Sequence, residues 1–126
     1  MVQFEQTLPS PLKISIARDT AFNFAYEENI QLLHRLGEVT FFSPLHDSVL
    51  PESDFVYLPG GYPELYLPGL SSNRSMLQSV RDYAEAGGKL LAECGGMMYL
   101  CNKIKSSDGS SFPMVKVGLI HEKEKK

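Results

Sequence analysis

Several things are scarce in this sequence, and each scarcity narrows what it does. Positive charge is not in surplus: 12 Lys and Arg against 15 Asp and Glu leave a net charge of −3. No basic stripe is therefore available to follow a phosphate backbone, and nucleic acid is not an expected partner. No apolar run approaches the length that spans a bilayer, and the N-terminus lacks the charged and apolar regions of a signal peptide, so no membrane contact is expected. Cysteine is limited to Cys94 and Cys101. Their spacing resembles neither a disulfide framework nor a CxxC or zinc pattern, so no metal is expected and a reducing cytoplasm is the expected location. A GxGKS-type phosphate loop is also absent, which removes ATP as a cofactor of these residues.

What remains is an ordinary globular composition, 43% apolar and 21% charged over 126 residues. That is enough for one domain with a real core. Pro9 and Pro11 predict a disordered lead-in over residues 1–11. Residues 12–17, 39–42, 54–58 and 89–92 read as short strands, β-branched or aromatic in part. Tyr26, Ile30 and Leu33 recur at helical spacing, with Asp19 or Thr20 as the expected cap and Gly37 as the expected stop. Met76, Val80 and Tyr83 mark a second helix that starts near Ser71 or Ser72 and ends at Gly87-Gly88; a loop is expected over residues 65–70. A third helix is expected from Gly95 to about Ile104, and a last strand from Phe112 to Ile120. Residues 121–126 read as a charged, solvated tail.

Strands alternating with helices predict an α/β fold, a parallel sheet with helices on both faces. In such sheets the working residues gather at the carboxyl ends of the strands. Three loops fall there: Arg18 to Phe24, Pro59 to Glu64, and Glu93 to Gly96.

The last of these carries the chemistry. Lys89-Leu90-Leu91-Ala92-Glu93 is strand-like, and Gly95-Gly96-Met97-Met98-Tyr99-Leu100 starts a helix. One small reactive side chain, Cys94, stands at the break, the arrangement of a nucleophile elbow. The new helix would aim its first amides and positive dipole end at the sulfur, favouring the thiolate that attacks carbonyls. Acyl transfer through a thioester also needs an oxyanion site of two fixed backbone N–H groups. Gly95 offers one and the Gly60-Gly61 turn the other. The plain alternatives are a buried small cysteine and a tight turn; convergence of the three loops on one edge favours the chemical reading.

These residues also carry a family resemblance. Leu58-Pro59-Gly60-Gly61-Tyr62-Pro63-Glu64 and Ala92-Glu93-Cys94-Gly95-Gly96-Met97-Met98-Tyr99-Leu100 resemble the glutamine amidotransferase domain of cobyrinic acid a,c-diamide synthases, within the class I (triad) amidotransferases of flavodoxin-like type. Arg18 to Phe24, Phe42 to Leu45, Asn73 to Met76 and Phe112 to Val115 resemble further motifs of that group. The likeness runs from about Leu12 to Leu119. It implies Cys94 as nucleophile, Gly61 and Gly95 at the oxyanion hole, and Gly60, Tyr62 and Glu64 near the substrate. Asp19, Phe22 and Asn23 would line the cleft or face a second domain. It further implies glutamine as substrate and, as partner, an N-terminal ATPase-like synthetase domain that uses ATP and Mg on a corrin substrate.

Two departures stand against the resemblance. Pro59 replaces a glycine that relatives often carry. The family's catalytic histidine lies well downstream of the nucleophile, whereas His121 is the only histidine after Cys94 here and sits in the charged tail. His34 reads as a surface residue of the first helix, His46 beside Asp47 as a solvated loop pair, and Cys101 as core packing. The expectation is thus a fragment, residues 12–120 forming an incomplete amidotransferase domain, inactive alone and able to self-associate through an exposed sheet edge. Two other readings stay open. The acceptor is another tetrapyrrole, cobyric acid or a nickel sirohydrochlorin, or the domain is a docking module without catalysis.

Overall fold

The computed structural model describes residues 11–117. The expected lead-in (apart from Pro11), the end of the last strand, His121 and the charged tail lie outside them. Strand β1 (Leu12–Ala17) is followed by helix α1 (Glu27–Leu36), β2 (Gly37–Phe42) and β3 (Phe55–Leu58). A 3₁₀ turn (Pro63–Leu65), α2 (Leu67–Ser72) and α3 (Arg74–Glu85) lead to β4 (Lys89–Ala92). After α4 (Gly95–Leu100), a small antiparallel pair, β5 (Lys103–Lys105) and β6 (Ser111–Pro113), closes the described chain.

The first four strands form one parallel sheet in the order β2-β1-β3-β4. Alternation along each strand divides its side chains between two faces. Ile14, Ile16 and Tyr57 meet Ile30 and Leu33 of α1 on one face. Val56 and Leu58 join Leu67, Leu70, Met76, Val80, Tyr99 and Leu100 on the other, with Met114, Val115 and Val117. Helices therefore cover both faces, as the alternation predicts.

Several boundaries differ from the sequence expectation. Helix α1 begins at Glu27, capped without a side-chain bond by Tyr26, because Asp19 is committed elsewhere. One Asp19 oxygen accepts from the N–H groups of Ala21 and Phe22, the other from the Ser43 hydroxyl and the Leu45 N–H. Gly37 stops α1 as expected, its N–H on Leu33 O, but with extended and not left-handed backbone, and β2 starts there and not at Val39. The expected loop over 65–70 is mostly helical, with Pro68 tolerated in the first turn of α2. Finally, α4 stops at Leu100, since the N–H groups of Val115, Lys116 and Val117 bond to the carbonyls of Tyr99, Cys101 and Leu100. The chain after β6 is thereby laid against the end of α4 and not extended as a long strand.

The helix before the elbow carries its expected apolar face, but it starts at Arg74 and not near Ser71 or Ser72, which end α2. Asn73 caps α3 by accepting from Met76 N–H, and its amide donates to the carbonyls of Pro44 and Asp47. Gly87 ends the helix with φ +92°, the left-handed stop that glycine allows. Among the described residues no helix is long and apolar enough to cross a membrane.

Candidate active site

The carboxyl ends of β1, β3 and β4 deliver the three loops to one place. Phe24 and Gly60 exchange N–H···O bonds of 3.1 Å in each direction, and Tyr62 N–H donates to Ala21 O at 3.0 Å. The first loop is thus stitched to the second. A Cβ on Gly61 would stand 2.2 Å from Ala21 O, and its φ of +153° is one that side chains rarely adopt. Only glycine fits there.

The third loop closes on the second through glycine as well. A Cβ on Gly95 would lie 3.1 Å from Gly61 N and 2.9 Å from Pro63 Cδ; one on Gly96 would lie 2.2 Å from Leu58 O. The start of α4 therefore rests directly on the end of β3 and its turn. Among the described residues, neither Gly61 N–H nor Gly95 N–H has an acceptor. Two uncommitted donors in adjoining segments are what a developing oxyanion needs.

Cys94 occupies the break between β4 and α4 with φ 41° and ψ −102°. This is a sparsely populated conformation for a residue with a Cβ, the kind of strain that gathers at functional positions. Its side chain is exposed and lies over the turn, a Cβ on Gly60 reaching to 3.8 Å of Cys94 Cβ. The elbow is held on both sides: Glu93 N–H donates to Leu58 O, Gly96 N–H to Glu93 O and Met98 N–H to Cys94 O.

The remaining sequence candidates are placed as follows. Tyr62 is exposed at the rim. Glu64 is exposed on the 3₁₀ turn, with no ion pair or side-chain bond among the described residues. The Gly60 N–H is already taken by Phe24. Phe22 lines no cleft: it is buried, meeting Tyr99 edge-on at 5.3 Å. Asn23 is exposed, and Asp19 is the anchor of its loop. Cys101 lies just past α4, its Sγ donating to Met97 O, and no disulfide links it to Cys94. His34 stands against Phe41 at 6.4 Å between rings. His46 is exposed, and Asp47 accepts from Ser43 N–H and not from its neighbour. Neither histidine bonds to Cys94.

Two features escaped the sequence reading. Tyr57, wholly buried, donates its hydroxyl to Glu93 Oε1 at 2.7 Å and receives Asn29 Nδ2 at 3.4 Å. Burial first, and then the carboxylate beside it, push this phenol up to about 12. The alternation of β3 and β4 holds the signal, since both residues point to the α1 face. The second is Tyr99, whose buried hydroxyl has no partner among the described residues; burial raises its pKa, and the nearby negative Asp19 adds to the rise.

Comparison with known proteins agrees with this geometry. Residues 13–122 match the model of the CobB/CobQ-like glutamine amidotransferase domain. The chain belongs to that family. It is 53% identical over 102 residues to a cobyrinate a,c-diamide synthase of Clostridium acetobutylicum, covering 80% of this chain and 23% of that protein. It is 49% identical over 116 residues to a hydrogenobyrinate a,c-diamide synthase of Pseudomonas aeruginosa, covering 86% and 27%. A Methanosarcina barkeri cobyrinate a,c-diamide synthase is 50% identical over 99 residues, covering 78% and 20%. The chain thus spans about a quarter of the length of the curated relatives it matches. The parallel sheet with helices on both faces is the α/β architecture of class I glutamine amidotransferases.

Proposed function

We propose that this chain is the glutamine-hydrolysing part of a cobyrinic acid a,c-diamide synthase, supplying ammonia for amidation of corrin carboxylates in cobalamin biosynthesis. Cys94 Sγ attacks the glutamine side-chain carbonyl, and the oxyanion forms between the N–H groups of Gly61 and Gly95. Collapse of that intermediate breaks the C–N bond, releases ammonia and leaves a glutamyl thioester. Water then attacks the thioester to give glutamate and free the thiol. The observation that carries this reading is the strained, exposed Cys94 set beside two uncommitted donors, Gly61 N–H in the turn and Gly95 N–H at the start of α4.

The proton traffic needs a base, and neither His34 nor His46 bonds to the sulfur. We place that base outside residues 1–126, so that the chain alone turns over slowly or not at all. The ATPase-like synthetase domain, with its ATP and Mg, is the partner that consumes the ammonia. The free side of β4, an edge among the described residues, is where self-association would occur.

The test is ammonia release from glutamine by this chain beside a Cys94→Ala control, with and without a separately supplied synthetase domain. Turnover lost in the control supports the nucleophile reading, puts the base within residues 1–126 and overturns the inactivity of the chain alone. No turnover with rapid alkylation of Cys94 also supports it and puts the base elsewhere. No turnover with a sluggish thiol would sink it and leave the docking-module reading.

A further inference from the structure

Tyr57 cannot leave its hydroxyl idle. It is wholly buried, and a buried donor without an acceptor costs the desolvation of that group. Glu93 is half-buried and could have kept its carboxylate in water. Instead it turns to the α1 face and accepts from Tyr57 at 2.7 Å, while Asn29 of α1 closes the chain of bonds at 3.4 Å. Glu93 is held at two further points, its N–H on Leu58 O at 3.0 Å and its carbonyl on Gly96 N–H at 2.7 Å. No other residue of the elbow is tied so often, and the next residue is the strained Cys94.

A peptide plane rotates by opposite changes in ψ of one residue and φ of the next. The plane between Glu93 and Cys94 is the one whose rotation would relieve the cysteine's φ of 41°. A strained residue persists only where its surroundings over-determine it. The three anchors on Glu93 bracket that plane; two of them reach β3, the N–H at Leu58 and the side chain at Tyr57, and the side chain alone continues through Asn29 to α1.

We propose that the Tyr57–Glu93 hydrogen bond is the positioning device of the elbow, tying it through β3 to α1 and keeping Cys94 Sγ over the Gly60-Gly61 turn. This rests on the reading of Cys94 as nucleophile. Glu93 and Tyr57 are positioning residues: the bond acts by geometry, and any acceptor of the same reach serves in place of the carboxylate.

The experiment follows alkylation of Cys94 by iodoacetamide in the full chain, read by mass spectrometry, with Cys101 of the same molecule as reference and thermal unfolding as a fold check. Tyr57→Phe and Glu93→Ala are expected to slow Cys94 roughly tenfold, the scale of one hydrogen bond to a charged group, while the Cys101 rate holds. Glu93→Gln keeps an oxygen for the Tyr57 hydroxyl and is expected to restore most of the rate lost in Glu93→Ala. Wild-type rates in Tyr57→Phe and Glu93→Ala would overturn the positioning role and leave the nucleophile reading intact. Equal slowing in Glu93→Gln and Glu93→Ala would overturn it in favour of the carboxylate's charge. If Tyr57→Phe does not fold, the Glu93 pair decides. A wild-type Cys94 no faster than Cys101 would instead count against the nucleophile reading itself.

Discussion

Replacing Gly96 by Ala puts the tightest contact of the site to the test. The added Cβ would stand 2.2 Å from Leu58 O and 2.8 Å from both the carbonyl carbon and Cβ of Leu58. Those atoms belong to β3, which is paired on both sides with β1 and β4, so the strand does not yield. Helix α4 has to lift, taking Tyr99 and Leu100 out of register with the core. In an exposed helix the same change gains about 1 kcal/mol. Overpacking of this kind costs about 1–3 kcal/mol and sometimes more, so the clash outweighs the propensity gain. The expected net loss is about 1 kcal/mol, or about 3–6 °C in melting temperature for a domain of this size. Because α4 begins with the Gly95 N–H, alkylation of Cys94 is expected to slow as well. Gly69→Ala is the matched control: a Cβ there meets only the flexible Leu45 Cδ2, at 3.0 Å. Circular dichroism melts of both variants, with iodoacetamide rates, decide the matter. Gly96→Ala melting at or above Gly69→Ala would refute the reasoning.

Three further outcomes are expected. Cys94→Gly relieves the strained φ and should raise stability by about 1 kcal/mol while removing the thiol, seen as a higher melting temperature and, on the proposed function, loss of any thioester formed with glutamine. Asp19→Ala leaves the Ala21 and Leu45 N–H groups and the Ser43 hydroxyl without their acceptor, and Phe22 N–H with only the backbone carbonyl of residue 19; a loss of about 2–4 kcal/mol in urea unfolding is expected. The third concerns alkaline pH. The folded-state pKa of Tyr57 is raised to about 12 from an ordinary 10.0. Its protonated form therefore adds stability that is whole below about 10 and lost as pH climbs towards about 12. Tyr57→Phe should flatten the alkaline limb of stability against pH, leaving the share of Tyr83 and Tyr99, which are also raised. An unchanged slope would contradict the assignment.

The elbow was legible because it is local. A strand pattern ending at Glu93, a helix pattern starting at Gly95 and one cysteine between them are decided within a dozen residues. The four parallel strands were legible for the same reason, as short apolar runs bounded by turn residues. Misreadings came where a side chain answered to distant partners. Asp19 has the chemistry of a helix cap, but one of its oxygens goes to Ser43 and Leu45, twenty-four or more positions away, while the other holds its own loop, and α1 starts later. The resemblance put Phe22 in the cleft or facing a second domain, yet its contact with Tyr99 in the same cluster makes it core. The residues after β6 looked like a strand and bond to the end of α4.

By itself, then, the sequence determined the alternation of elements, the position of the cysteine elbow and the glycines able to flank it, since steric and hydrogen-bond rules over neighbouring residues suffice for these. Only the tertiary structure decided which loop faces which. It set Gly61 against Gly95, closed Phe24 onto Gly60 and brought Tyr57 to Glu93. Strand order places those residues side by side, and strand order depends on how two faces of one sheet find cover, a balance no short window of sequence contains.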